Sequence, residues 1–74
     1  MTATLAQRIG KALRVRREAT GHSQEAFADQ IAMHRTYYSA IERGEKNMQL
    51  DTLQRICRGL GVSVWEVMRD AECS

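Results

Sequence analysis

The 74-residue sequence predicts an all-α fold, a compact bundle of five short helices. Three observations carry this. Apolar residues recur at spacings of three and four along nearly the whole chain, no segment alternates with period two over a useful length, and Gly21, Gly44 and Gly61 follow periodic runs where a left-handed residue ends a helix. An apolar fraction of 43% with 27% charged residues is that of a folded chain, without proline-rich or low-complexity segments or repeats. Residues 1–74 are expected to form one domain with its core at about 9–68. A core this thin leaves a margin of about a few kcal/mol, which dimerisation would raise.

The first helix is expected from about Thr4 to Thr20, with Leu5, Ile9 and Leu13 on one side and Gly21 as its stop. The second starts at Ser23, a good N-cap, and carries Phe27, Ala28 and Ile31 inward to about Ala32. Met33 and His34 form a hinge, and the third helix runs from Arg35 to Arg43, ended by Gly44. Glu45 to Gln49 reads as a loop. A fourth helix beginning at Asp51 exposes Asp51, Gln54, Arg55 and Arg58, buries Leu50, Leu53, Ile56, Cys57 and Leu60, and stops at Gly61. Ser63 caps a fifth, through about Arg69, with Val64, Val67 and Met68 inward; the tail Asp70 to Ser74 is expected to be loose.

Several classes are set aside by this pattern. No apolar run approaches the ~20 residues that span a membrane, and MTATLAQRIG lacks the apolar core of a signal peptide, so a cytoplasmic protein is expected. Cys57 and Cys73 suggest neither a disulfide framework nor a zinc site, and no cofactor, metal or small-molecule ligand is expected. Net charge is +2, yet residues 1–47 hold eight Lys/Arg against five Asp/Glu and residues 48–74 hold three against four. The first part suits a polyanion.

Ser23 to Gly44, SQEAFADQIAMHRTYYSAIERG, reads as two helices sharing one hinge. On about 100° per residue, Arg35, Thr36, Ser39 and Arg43 fall within an arc of roughly 100°, opposite Tyr38 and Ile41. A polar-faced second helix after a tight turn is the arrangement that lies in a DNA major groove while the first helix crosses the backbone. SQEAFA followed by RTYYSAIERG, with Leu50, Leu53 and Ile56 trailing, resembles the Cro/lambda-repressor-like (XRE) helix-turn-helix domain over about Ile9 to Met68. Within that family, Arg35-Thr36-Tyr37, Ser39, Ile41-Glu42-Arg43 and Asn47 are similar to controller proteins of restriction–modification systems. The resemblance implies a dimeric regulator of its own promoter on a palindromic double-stranded operator, associated with the nucleoid. Phage Cro-like repressors and antitoxins acting as protein-interaction modules share the same traits.

Arg35 is the first candidate for base contact, because a guanidinium pairs bidentately with guanine O6 and N7; a phosphate clamp is the alternative. Thr36 and Ser39 are the other base readers, or else solvated helix positions. Ala40 would let the helix approach closely. Backbone contacts are assigned to Ser23, Gln24, His34, Tyr37, Arg43, Lys46 and Asn47, with Gln24 in a helix first turn whose free N–H groups favour phosphate. Tyr37 could instead pack into the core, and Gln24 and Lys46 could be plain surface residues.

The resemblance implies a largely buried salt bridge between Arg17 and Glu42, and leaves Arg14 and Arg16 mainly solvated. Several positions depart from the family: Arg16 stands where it is usually apolar, His34 is a poor N-cap, Ala32 stands near a customary glycine and so implies a turn without positive φ, and His22 replaces an apolar residue. Trp65, polar in the family, suggests an interface with Val62 and Met68, through which the last two helices build a two-fold dimer. Trp65 folding onto its own core is the alternative. Activation of transcription would need contact with RNA polymerase, for which Glu45, Asp51 and Glu66 are the acidic candidates. Ser23, His22 and His34 lack an orienting acid, so no enzyme is expected.

Overall fold

Each helix starts and stops where local hydrogen bonding allows. In the computed structural model, which describes residues 2–73, the elements are α1 (Leu5–Ala19), α2 (Gln24–Gln30), α3 (Arg35–Glu42), α4 (Leu50–Leu60) and α5 (Val64–Cys73). Met1 and Ser74, the ends of the expected 1–74 domain and of the expected loose tail, lie outside the described residues. Thr4 and Gln7 form a capping box on α1, the Gln7 amide donating to Thr4 Oγ1 at 3.1 Å and the Thr4 amide to Gln7 Oε1 at 2.9 Å. Ser63 and Glu66 do the same for α5.

The core sits where α1 crosses α3 and α5, with Leu13, Phe27, Tyr38, Ile41, Ile56, Cys57 and Val67 fully buried. Each large apolar side chain there contributes about 1.5–3 kcal/mol of burial. The Phe27 and Tyr38 rings meet in a tilted pair, centroids 5.2 Å apart, which binds α2 to α3. Two close approaches fix the helix pair in the bundle. A methyl group at Gly10 would collide with the Ile41 and Glu42 carbonyl oxygens, so α1 runs against the backbone of α3, and a methyl at Gly59 would collide with Ile31.

Four expectations are corrected here. The tail is not loose: α5 continues to Cys73, because Ala71 is buried one further turn along the Val64, Val67, Met68 stripe. Leu50 is not core but 81% exposed, since it opens α4 at the edge of the domain, beyond the turn that Leu53 buries; Leu5 is likewise 40% exposed at the start of α1. Arg16 is not mainly solvated: its Nε donates to Asp70 at 2.8 Å and its guanidinium lies 3.7 Å from Glu66, joining α1 to α5. Ala32 does adopt positive φ, at 54°, so the turn keeps the left-handed geometry without its glycine.

Candidate nucleic-acid interface

The C-terminal end of α3 is anchored by a buried ion pair. Arg17 Nε donates to Glu42 Oε2 at 2.7 Å and Nη2 to Oε1 at 3.1 Å, while Nη1 donates to the His22 carbonyl at 2.8 Å. Gln24 Nε2 donates to the same Glu42 Oε1 at 2.9 Å, so the Arg17–Glu42 pair ties α1, the α1–α2 connection, α2 and α3 together. Both partners are buried. Burial alone would raise the Glu42 carboxyl, but the hydrogen bonds from Arg17 and Gln24, with the Tyr38 phenol nearby, outweigh it and hold the group below its ordinary value. Tyr38 is pushed far up, first by burial and then by that carboxylate; its hydroxyl is buried without a hydrogen-bond partner among the described residues.

With its core face held in this way, α3 turns its other face outward. Gln24, Arg35, Thr36, Ser39 and Arg43 line one shallow depression of about 250 Å³. Thr36 and Arg43 also line a second, of about 440 Å³, with His34, Tyr37, Lys46 and Ala40. Arg35 donates to Glu25 Oε2 at 2.9 Å, both side chains being more than half exposed. Arg43 donates to the Ser39 hydroxyl and to both oxygens of Glu45, whose carboxyl this pairing holds below its ordinary value. Exposed pairs of this kind contribute little to stability and exchange readily for a phosphate or a base.

The structure therefore gathers Arg35, Thr36, Ser39, Gln24, Arg43, His34, Tyr37 and Lys46 around α3. Tyr37 is 37% exposed and does not join the core, in contrast to the adjacent Tyr38. Asn47 is not brought to these depressions; it lines a groove of about 260 Å³ on another side, with Leu5, Met48 and Leu50. Ser23 accepts from the Ala26 amide at 3.1 Å and so caps α2. His34 makes no side-chain cap hydrogen bond, leaving α3 uncapped by its own N-cap residue. Ala40 is only 6% exposed but lies in the second depression beside Tyr37 and Arg43, on the side of α3 away from Tyr38 and Glu42.

Trp65 is 66% exposed, with the Arg69 guanidinium 4.8 Å from its ring centroid, so it does not fold onto its own core. Val62 and Met68 are half-buried against the core. Met68 also lines the groove that holds Leu50. Leu50, like Leu5, is an exposed apolar residue that the sequence pattern missed, since its spacing to Leu53 reads as core. Among the described residues no helix is long and apolar enough to cross a membrane.

Comparison with known proteins places this geometry in context. A family model described as a helix-turn-helix domain matches residues 8–71. The chain is 47% identical over 66 residues to the control protein C.MunI of a Mycoplasma species, covering 88% of this chain and 89% of that protein. It superposes on the clp gene regulator ClgR of C. glutamicum with a TM-score of 0.95 and 31% identity, covering 100% and 95% of the two chains. The restriction–modification controller protein C.Esp1396I, solved as a tetramer in complex with its natural 35 base-pair operator, matches with a TM-score of 0.85 and 28% identity, covering 99% and 100%.

Proposed function

We propose a function on this premise: the chain belongs to the helix-turn-helix domain family and stands with its restriction–modification controller proteins. It is a sequence-specific, DNA-binding transcriptional regulator that acts as a homodimer on a roughly palindromic operator upstream of its own gene. The observation that carries this is the open depression on α3, where Arg35, Thr36 and Ser39 meet Gln24 and Arg43 on a helix whose opposite face is locked into the core. Arg35, Thr36 and Ser39 read base edges; Gln24, His34, Tyr37, Arg43 and Lys46 hold sugar and phosphate. The role is binding, with no catalytic step, in the cytoplasm on the nucleoid.

The dimer forms through α4 and α5, with Trp65, Met68 and Leu50 as its apolar contacts, and sets two recognition helices about one DNA turn, ~34 Å, apart. Purified protein should protect duplex DNA upstream of its own gene from cleavage, in two half-sites. Gln24→Ala and Arg43→Ala should weaken all duplexes, and Arg43→Ala should flatten the salt slope by about one unit. Absence of salt-dependent duplex binding would contradict the function, and a Trp65→Ala protein that sediments as a dimer would contradict the interface.

A further inference from the structure

Among the described residues, a left-handed residue follows the C-cap of α1, α2 and α3 and forms the C-cap of α4, but not always with the same residue type. After α3 and α4 the turns are built on Gly44 (φ 73°) and Gly61 (φ 73°), and in each a second amide closes the motif: Glu45 onto the Ala40 carbonyl and Val62 onto the Cys57 carbonyl, both at 3.0 Å. After α2 the same pair of bonds is present, the Ala32 amide donating to the Asp29 carbonyl at 3.1 Å and the Met33 amide to the Ala28 carbonyl at 2.8 Å. There the left-handed residue is Ala32, whose Cβ crowds the backbone in that conformation. This is the turn that aims α3.

Arg55, on α4, supplies what the missing glycine does not. Its Nε and Nη2 donate to the Ile31 carbonyl at 2.9 and 2.6 Å, and Nη2 donates to the Ala32 carbonyl at 2.6 Å. A planar, always-charged fork thus holds two successive carbonyls at the negative end of α2, an arrangement that a lysine's point charge cannot copy. Gln30 Nε2 donates to the Gly59 carbonyl at 3.3 Å beside it, and Gly59 lets α4 approach Ile31 without collision.

We propose that Arg55 is a positioning residue for DNA recognition: by clamping the Ile31 and Ala32 carbonyls it fixes the strained turn and hence the angle at which α3 is presented. The proposal rests on the DNA-binding reading for its consequence but not for the clamp itself. Arg55 touches no DNA in this account, so removing it should change affinity without changing the number of phosphate contacts.

The test compares Arg55→Ala, Arg55→Lys, Ala32→Gly and the double variant Ala32→Gly/Arg55→Ala with the wild type. In Arg55→Ala, hydrogen exchange at the Met33 amide should accelerate about tenfold more than at the Val62 amide, its counterpart in the glycine-built turn. Affinity for the protected upstream duplex should fall about tenfold with an unchanged salt slope. Arg55→Lys, which keeps charge and stem, should lie between, and serves where Arg55→Ala melts at the assay temperature. In the Ala32→Gly background the loss should shrink to about twofold, because glycine accepts the left-handed turn unaided. Met33 and Val62 exchanging in step, an undiminished loss with glycine at position 32, or a slope reduced by about one unit each overturns the proposal. So does affinity unchanged by Arg55→Ala in a protein that binds. If the wild type binds no duplex, the DNA-binding reading fails separately, and the exchange comparison still decides the clamp.

Discussion

The two ends of α3 use the same chemistry in opposite settings. At the C-terminal end, Arg17 and Glu42 form a two-pronged ion pair sealed from solvent, with Gln24 and the His22 carbonyl taking up further hydrogen-bonding capacity. At the N-terminal end, Arg35 meets Glu25 across open water, and the N-cap His34 contributes no side-chain bond. The buried pair must stay intact, because parting it strands a charge; the exposed pair can be traded for another anion or acceptor at little cost. One end of this eight-residue helix is therefore locked into the fold while the other is left free to exchange partners.

The largest test of this division is Arg17→Ala. It should lower unfolding free energy by about 3–5 kcal/mol, since Glu42 would remain buried without its partner. Thermal or urea unfolding checks it, and a loss within the range of a surface pair, about 0–1 kcal/mol, would erase the distinction between the two ends.

Next comes pH. The Glu42 carboxyl sits below its ordinary value in the folded protein, so the unfolded chain binds a proton first as pH falls. The stability it provides is fully present above the unfolded glutamate pKa of about 4.3 and is lost as pH drops through the lower folded value. Urea midpoints should fall through this acid window in the wild type, and Glu42→Gln should have a flatter profile there even though it is less stable at neutral pH.

Smaller effects belong to the open end. His34→Ser installs the missing cap and should add about 1 kcal/mol, raising the melting temperature by about 4–8 °C. An unchanged melting temperature would mean that the start of α3 is already satisfied by other groups. Smallest of all, Arg14→Ala breaks only the exposed pair with Glu18 and should shift stability by less than about 0.5 kcal/mol in the same melts.

Much of this organisation is legible in the sequence, for identifiable reasons. Helical spacing and the glycines at positions 21, 44 and 61 mark the elements, because apolar periodicity and left-handed stops are local properties. The polar arc of α3 is equally local, so Arg35, Thr36, Ser39 and Arg43 fall together as the helical wheel requires. What escapes depends on distant neighbours. Ala71 extends α5 through burial that a small side chain barely signals, and Leu50 has core spacing but lies where no other element covers it. Arg16 finds Asp70 and Glu66 only once α1 lies on α5. Ala32 takes a conformation that its residue type disfavours, in a turn held by an arginine of another helix.

On the proposed function, the open face of α3 reads DNA sequence while its buried end only holds the helix. Binding of wild-type and Arg35→Ala protein to the protected upstream duplex and to a random duplex of equal length, at several salt concentrations, tests it most directly. Arg35→Ala should lose about 1–3 kcal/mol of discrimination between the two duplexes, with its melting temperature unchanged. Equal losses on both duplexes would contradict a base-reading role for Arg35.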